Sequence, residues 1–265
     1  MKSFLEIATE AVREAGELLK SRTGGDHVVQ SATEHDLKLE MDAECHALLS
    51  THLLKKTPGF SILSEEGEHG DPQSEHRWIV DPIDGTVNFF YGLPHYCITV
   101  ALQKKSASGP GAYETIAGVT FDPVRDEWFT AERGRGAFLN GRPIRVSVRR
   151  KIGDAIMAIG FSKTSQTAKL GMGYFQDYTQ RARKLRVMGS AALDLAYVAA
   201  GRLDAYYELV RIWDIAAGLL LVSEAGGRVH THPMPTEKNF FATLAFNGSL
   251  PFRLNEERLE ETAQL

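Results

Sequence analysis

Two aspartates follow a short apolar run and are separated by only two residues. Residues 78–80 have the pattern of a buried strand end, and Asp81 and Asp84 follow in the sequence DPID. Pro82 fixes its own backbone angle and cannot donate a hydrogen bond, so we predict a defined turn that aims both carboxylates and the Ile83 carbonyl at one point. Hard divalent cations prefer such oxygen ligands. The segment therefore indicates a metal site, although Asp-Pro and Asp-Gly also occur in ordinary turns.

Gly85 and Thr86 come directly after these aspartates. Glycine permits a close approach between the backbone and a ligand. If the two residues open a helix, their amide groups point at an anion lying beside the metal ions. Cation ligands and anion donors would then share one short segment.

Composition and charge exclude several classes of protein. The chain has 265 residues with 30 Lys and Arg against 34 Asp and Glu, a net charge of −4, which does not indicate nucleic acid as the main partner. Cys45 and Cys97 lie in apolar patterns, so we expect buried free thiols in a reducing compartment. No stretch is long and apolar enough to span a bilayer, so we expect no membrane partner and a cytoplasmic location.

The elements that must position the acids are predicted from periodicity. In the first part of the chain, apolar residues recur at helical spacing in two segments, and Asp42 lies near the start of the second predicted helix. A short strand delivers Glu65 to its carboxyl end, and the polar stretch after it fits a mobile flap. The predicted elements are a helix within residues 1–20, a helix over 37–55, a strand over 60–63 and a flap over 68–76.

The rest of the chain shows two successive patterns of predicted secondary structure. An antiparallel sheet is predicted first, with Asn140-Gly141 as a hairpin turn, and an alternation of strands and helices follows from residue 152. The last predicted helix carries Asp214 in its first turn and ends at Gly226-Gly227. The predicted strands cover 96–102, 115–121, 127–131, 144–148, 155–160, 185–188 and 205–209, and the predicted helices cover 174–183 and 191–200.

Two long motifs together resemble one known family. The full string WIVDPIDGTVNFFY over residues 78–91 and the string WDIAAGLLLVSEAGG over 213–227 are similar to the signatures of the inositol monophosphatase family of metal-dependent, lithium-sensitive phosphatases. The resemblance implies a mixed α and β chain folded as a layered αβαβα sandwich, usually a homodimer. It implies one phosphatase domain over 1–265, with an α+β lobe over about 1–150 and an α/β lobe over about 151–265.

The resemblance also implies a site with two or three Mg²⁺ ions. Glu65, Asp81 and the Ile83 carbonyl would hold one ion, and Asp81, Asp84 and Asp214 a second. Thr86 and Asp42 would orient the attacking water, which makes Glu65, Thr86 and Asp42 the implied catalytic residues. The implied substrate contacts are Asp84, Gly85, Thr86, Gly189, Ser190, Ala191, Glu208 and Asp214.

The implied reaction is hydrolysis of a small phosphate monoester of a polyol, with inositol 1-phosphate as the leading substrate. Relatives in the same superfamily act on fructose bisphosphate, histidinol phosphate or phosphoadenosine phosphate, and some have regulatory binding roles, so these alternatives stay open. Arg211 is a candidate for gripping a second phosphate. The sequence departs from the family at Gln30-Ser31-Ala32, where a lysine is common.

Overall fold

The computed structural model of the chain describes residues 2–22, 29–32, 37–107, 112–161, 165–235 and 237–254. Among these residues there are six α-helices: α1 Phe4–Ser21, α2 Glu40–Lys56, α3 Thr86–Phe90, α4 Ser165–Thr179, α5 Ala191–Ala199 and α6 Ile212–Glu224. The strands are β1 Val29–Ala32, β2 Leu37–Leu39, β3 Ser61–Ser64, β4 Gly67–His69, β5 His76–Asp84, β6 Cys97–Lys105, β7 Tyr113–Asp122, β8 Glu127–Glu132, β9 Gly136–Leu139, β10 Arg142–Pro143, β11 Ile156–Ile159, β12 Lys184–Arg186, β13 Ala205–Arg211, β14 Arg228–Pro233 and β15 Phe240–Phe246.

The N-terminal helix α1 is fixed at its start and along one face. The Ser3 hydroxyl accepts a hydrogen bond from the Glu6 amide, and the Glu6 carboxylate accepts one from the Ser3 amide, so two otherwise unpaired helix-end donors are satisfied. Apolar residues at helical spacing, including Ala8, Val12 and Leu19, are buried. This face packs with α2 against the large sheet.

The large sheet has eight strands in the order β10-β9-β8-β7-β6-β5-β3-β4. Strands β3 and β5 run parallel, and the other neighbours are antiparallel. Trp78 on β5 is fully buried, and its indole N–H donates to the Thr57 hydroxyl at 2.9 Å. Strand β5, which carries Asp81 and Asp84, is thus an interior strand of this sheet, the third from the β4 edge.

The second sheet has the order β12-β11-β13-β15-β14, in which β11 runs parallel to both β12 and β13. Helices α5 and α6 lie between the two sheets, and α4 covers the far face of the second sheet. The layers are thus helix, sheet, helix, sheet and helix. This confirms the layered αβαβα arrangement and places α6, with Asp214, between the sheets.

Several sequence predictions were wrong in their boundaries. The predicted helix over 37–55 begins at Glu40, because residues 37–39 pair with β1 as strand β2. Residues 144–148 are not a strand, although the amides of Ile144 and Val146 donate to the carbonyls of Ala137 and Ala225. The predicted flap over 68–76 includes strand β4, which forms a hairpin with β3.

The predicted helix over 174–183 is α4, which lies earlier in the chain. Glycines at 171 and 173 obscured its first turns, because glycine disfavours helices. Strands β1, β2, β4, β9, β10, β14 and β15 were not predicted. In β14 no residue is buried and the exposed and half-buried residues do not alternate, so a period of two was not visible there.

Two compositional expectations can be compared with the structure. Cys45 and Cys97 are free and buried, as predicted, and burial raises the pKa of the Cys45 thiol to about 12. Among the described residues, none of the helices has the length and apolar character needed to cross a membrane.

Candidate active site

Three aspartates from distant parts of the chain meet at one point. Asp81 and Asp84 on β5 and Asp214 on α6 present carboxylate oxygens that all lie within 4.8 Å of one another. In a regular strand, residues three apart face opposite sides of the sheet. The register of β5 against β6 shifts between Asp81 and Asp84, so this irregularity brings the two carboxylates together.

The electrostatics of this group favour a bound cation. Burial raises the pKa of Asp81 well above its ordinary value, and the negative charges of Glu65, Asp84 and Asp214 raise it further. The pKa of Asp214 is raised by burial and then by Asp84 and Glu65. All the ligand atoms are oxygens, which suits Mg²⁺. The donor set therefore fits the divalent cations that the sequence implied.

The three aspartates line a cavity with a volume of about 390 Å³. Glu65, which lies in the turn between β3 and β4, lines the same cavity. Its carboxylate is not part of the group of three whose oxygens lie within 4.8 Å of one another. Its effect on the pKa of Asp81 and Asp214 nevertheless places its charge beside them. Glu65 therefore faces the three aspartates from the edge of the large sheet.

Asp84 is clamped by the start of helix α5. Its Oδ2 accepts hydrogen bonds from the Ser190 hydroxyl at 2.6 Å and the Ala192 amide at 2.7 Å, and its Oδ1 accepts one from the Ala191 amide at 3.3 Å. A helix N-terminus favours negative charge, which stabilises the ionised carboxylate. These bonds oppose the effect of burial, which raises the pKa of Asp84. In this structure Ser190 and Ala191 thus contact Asp84, a contact that the sequence did not predict.

Asp214 has two tasks in the structure. One carboxylate oxygen accepts a hydrogen bond of 3.0 Å from the Arg211 amide and so caps the start of α6. The same side chain contributes to the group of three aspartates. The helix start therefore holds the carboxylate at the boundary between the two sheets, as its predicted place in the first turn requires.

Thr86 and Asp42 are in contact, as the sequence comparison implied. The Thr86 hydroxyl lies 3.3 Å from Asp42 Oδ1 and 2.9 Å from the Ile83 carbonyl oxygen. Asp42 is itself held by a hydrogen bond of 2.8 Å from the Leu39 amide. A hydroxyl has one hydrogen, so it can donate to only one of these two acceptors at a time. The side chains of Gln30-Ser31-Ala32 in β1 lie outside the described part of the chain.

Gly85 allows the backbone to turn from β5 into α3. Its φ is +91°, and a Cβ there would lie 3.1 Å from the carbonyl oxygens of Gly189 and His95, so a larger residue would be strained and crowded. The side-chain amide of Asn88 donates through Nδ2 to the backbone carbonyls of His95 and Met188 at 2.7 and 2.8 Å. These bonds fix the short helix that begins with Thr86.

Glu208 lines the cavity from strand β13, within the strand and not at its end as predicted. The Tyr206 hydroxyl donates to Glu208 Oε2 at 3.0 Å. A Cβ on Gly160 would lie only 1.8 Å from the Glu208 carboxyl carbon, so a larger residue at this position would displace the carboxylate from where it lies. Sequence reasoning missed the role of Gly160, and its only signal was a glycine closing a predicted strand.

The half-buried His95 and the buried Asp194 form a pair that no sequence motif indicated. The imidazole Nε2 lies 3.0 Å from Asp194 Oδ1, which ties the segment after α3 to helix α5. Burial raises the pKa of Asp194 to about 6, although the hydrogen bond to His95 lowers it. The two residues are far apart in sequence, so only the folded chain reveals the pair.

We predict that Asp194 makes the stability of the chain depend on pH between about 4 and 6. The folded state there retains a proton on Asp194 that the unfolded state releases, so the contribution of Asp194 to stability is largest below this window and falls as pH rises through it, by at most about 1.4 kcal/mol per pH unit. Urea unfolding should show this fall in the difference in unfolding free energy between wild type and Asp194→Asn, because the other aspartates with raised pKa values titrate in both proteins. A wild-type to variant difference that stays constant across the window would contradict the prediction.

Comparison with known proteins supports one family for the whole chain. Residues 1–263 match the inositol monophosphatase family. The inositol-1-monophosphatase of Rhizobium meliloti is 40% identical over 236 residues, which cover 85% of this chain and 84% of that protein. The Nus factor SuhB of Pseudomonas aeruginosa is 41% identical over 239 residues, covering 86% and 85%.

Solved structures agree with this result. The crystal structure of extragenic suppressor protein suhB from Bartonella henselae matches with a TM-score of 0.84 at 34% identity and covers 99% of both chains. The inositol monophosphatase of Anabaena matches with a TM-score of 0.78 at 31% identity, covering 98% of this chain and 94% of that one. The chain therefore belongs to the inositol monophosphatase family and is a phosphatase of this metal-dependent family, whose members act on small phosphate esters.

Proposed function

We propose that the chain hydrolyses a phosphate monoester of a polyol, with inositol 1-phosphate as the substrate of choice, in a reaction that needs Mg²⁺. The observation that carries the proposal is the meeting of Asp81, Asp84 and Asp214 in a cavity that Thr86 and Glu208 also line. Relatives from Rhizobium meliloti and Mesorhizobium japonicum are named inositol-1-monophosphatase at 40% and 38% identity, which supports this substrate.

The proposed metal ligands are the residues that the sequence indicated. Glu65, Asp81 and the Ile83 carbonyl would hold one Mg²⁺, and Asp81, Asp84 and Asp214 a second, with a third ion left open. Bound Mg²⁺ would lower the pKa of a water molecule and neutralise negative charge on the reacting phosphate. The raised pKa values of Asp81 and Asp214 support this, because burial and then repulsion between the carboxylates disfavour their negative charges until a cation compensates them.

Thr86 is proposed to orient the attacking water. When the Thr86 hydroxyl donates to Asp42, its oxygen can still accept a hydrogen bond from a water molecule. The Ile83 carbonyl then no longer accepts a hydrogen bond from Thr86 and can bind a metal ion. Asp42 is buried and held by the Leu39 amide, so its position is fixed. A water that donates a hydrogen bond to the Thr86 hydroxyl oxygen would then present its lone pair to the phosphorus.

The proposed substrate contacts divide between the phosphate and the alcohol. The amides of Gly85 and Thr86 would donate to the phosphate, since they lie where β5 turns into α3. Glu208, fixed by the Tyr206 hydroxyl, would accept hydrogen bonds from hydroxyl groups of the polyol. Asp84, Gly189, Ala191 and Asp214 also line the cavity and are proposed contacts. Ser190, whose hydroxyl donates to Asp84, is the remaining proposed contact.

The contacts of Arg211 indicate whether the cavity could bind a substrate with a second phosphate. Its guanidinium forms an ion pair with Glu237 and donates to the Lys238 carbonyl at 3.1 Å. An arginine that is already paired is poorly placed to grip a second phosphate. This pairing favours substrates with one phosphate over bisphosphates.

A second role as a binding factor is supported by one observation. Several relatives are named Nus factor SuhB, including those of Pseudomonas aeruginosa and Escherichia coli at 41% and 38% identity. A role in a transcription complex does not exclude catalysis, because the acidic residues proposed to bind metal are all present. We also propose that the chain acts as one domain and as a homodimer in the cytoplasm.

We predict that Asp81→Asn lowers kcat by at least about a hundredfold, because Asp81 is proposed to touch both metal ions and the amide removes its charge. Hydrolysis of inositol 1-phosphate by wild type should also stop in excess EDTA and be inhibited by lithium. Asp126→Asn is the matched control, since Asp126 is exposed and is not among the residues that line the cavity. Wild-type turnover by folded Asp81→Asn, or in EDTA, would refute the proposed mechanism.

We predict that Glu208→Gln and Gly160→Ala both reduce selectivity for polyol phosphates. The first change removes the charge that accepts the hydroxyl hydrogen bonds, and the second displaces the same carboxylate. Loss of a charge-assisted hydrogen bond costs about 1.5–3 kcal/mol, or about ten- to a hundredfold in kcat/KM for inositol 1-phosphate. The loss on p-nitrophenyl phosphate should be small, since its leaving group has no other hydroxyl.

The control for this comparison is Gly153→Ala, where an added Cβ would have no neighbour closer than 3.8 Å. It should leave both substrates unaffected. Equal losses on the two substrates in Glu208→Gln would show that Glu208 supports the metal site and does not select the alcohol.

A further inference from the structure

A second cleft lies against the hairpin formed by β3 and β4. Its volume is about 590 Å³, and the residues that line it are separate from those that line the catalytic cavity. We refer to it as the hairpin cleft. Its lining residues are Ser61, Ile62, Leu63, Glu68, His69, Gly70, Pro72, Gln73, Arg77, Lys105, Tyr113, Lys238 and Asn239.

Arg77 is held in a fixed orientation at the hairpin cleft. Its Nε donates to the Gln103 side-chain oxygen at 2.9 Å, and its guanidinium lies 3.7 Å from the centre of the Tyr113 ring. Gln103 is buried and donates in turn to the Thr115 hydroxyl at 3.1 Å. In the described part of the chain, no carboxylate forms an ion pair with Arg77. Among the described residues its terminal N–H groups have no hydrogen-bond acceptor, so they can bind one from outside the chain.

The hairpin cleft carries more positive than negative charge. Lys105 donates to the Gln73 carbonyl at 2.7 Å, a contact that leaves its charge uncompensated. Lys238 pairs with Glu68 at 2.9 Å, so these two charges cancel. Arg77 and Lys105 together leave two positive charges among the residues that line the cleft. A planar guanidinium and a lysine ammonium suit an oxyanion with two negative charges.

The remaining lining indicates that the ligand has an organic part. Ile62, Leu63, Pro72 and the Tyr113 ring supply apolar and aromatic surface. Small-molecule sites combine such surface with a few polar groups that fix orientation, and typical volumes are about 300–1,000 Å³. An inorganic ion alone would leave most of this volume and this surface unused.

The hairpin cleft is connected to two of the proposed metal ligands. Glu65 lies in the turn that joins β3 to β4, and both strands line the cleft. On the opposite wall, the carbonyls of Lys238 and Asn239 accept hydrogen bonds from the Arg211 side chain and the Ile212 amide, at the start of the helix that carries Asp214. A ligand in the cleft would therefore contact the segments that position Glu65 and Asp214.

We propose that the hairpin cleft is a second binding site, for a small organic dianion whose phosphate or carboxylate groups are held by Arg77 and Lys105. Occupation of this site modulates the phosphatase through Glu65 and Asp214. The binding stands on the cleft alone, whereas its effect on activity rests on the proposed function.

Isothermal titration of the full-length chain in Mg²⁺ tests the binding, with phenylphosphonate and phthalate as probes that cannot be hydrolysed. We expect phenylphosphonate to bind at two sites in wild type, one of which weakens at least about tenfold in Arg77→Gln and in Lys105→Gln. Phthalate distinguishes carboxylate from phosphonate recognition at the same site. Arg13→Gln is the matched control, because Arg13 also lies over an aromatic ring, Trp128, but outside the cleft.

The outcomes separate the two proposals. Loss of one phenylphosphonate site in Asp81→Asn reports on the catalytic cavity, and loss of the other in Arg77→Gln reports on the hairpin cleft. Equal binding by wild type, Arg77→Gln and Lys105→Gln would overturn the second site, whatever Asp81→Asn shows. Phthalate should change the rate on p-nitrophenyl phosphate in wild type and not in Arg77→Gln, and an unchanged wild-type rate would overturn the regulatory part.

Discussion

Mutual repulsion between buried carboxylates is the constraint on which the rest of this structure depends. Asp81, Asp84 and Asp214 lie within 4.8 Å of one another, with the charge of Glu65 beside them, and burial raises the pKa of each aspartate. Carboxylates converge in this way at a cost, since each disfavours ionisation of the others. A bound divalent cation removes that cost, so the folding of this region and its chemistry are coupled.

The layers of the fold hold these acids against their repulsion. Asp84 is anchored by the start of α5 and Asp214 caps α6, so the central helix layer supplies backbone amides that stabilise negative charge. The irregular register of β5 sets Asp81 and Asp84 on the same side. The large sheet supplies the acids of the first half, and the helices between the sheets bring in the last one.

The part of the site that lies in local motifs could be predicted from the sequence. The contacts between distant segments could not. The spacing of Asp81 and Asp84 and the helix-start position of Asp214 could be identified from the sequence, because a proline, a glycine and apolar periodicity mark them. The pairing of His95 with Asp194 and the room that Gly160 leaves for Glu208 depend on how strands and helices pack. Strand β15 is a different case, because residues 240–246 form an apolar run that is typical of a buried strand and that was overlooked in the sequence.

The central claim is that carboxylates from both halves of the chain form one metal site. Equilibrium binding of Mn²⁺, followed by electron paramagnetic resonance with Mg²⁺ as competitor, tests it most directly in wild type, Asp81→Asn and Asp214→Asn. We expect wild type to bind at least two ions that Mg²⁺ displaces, and each variant to lose at least one of them. Unchanged Mn²⁺ binding in both folded variants would contradict the account.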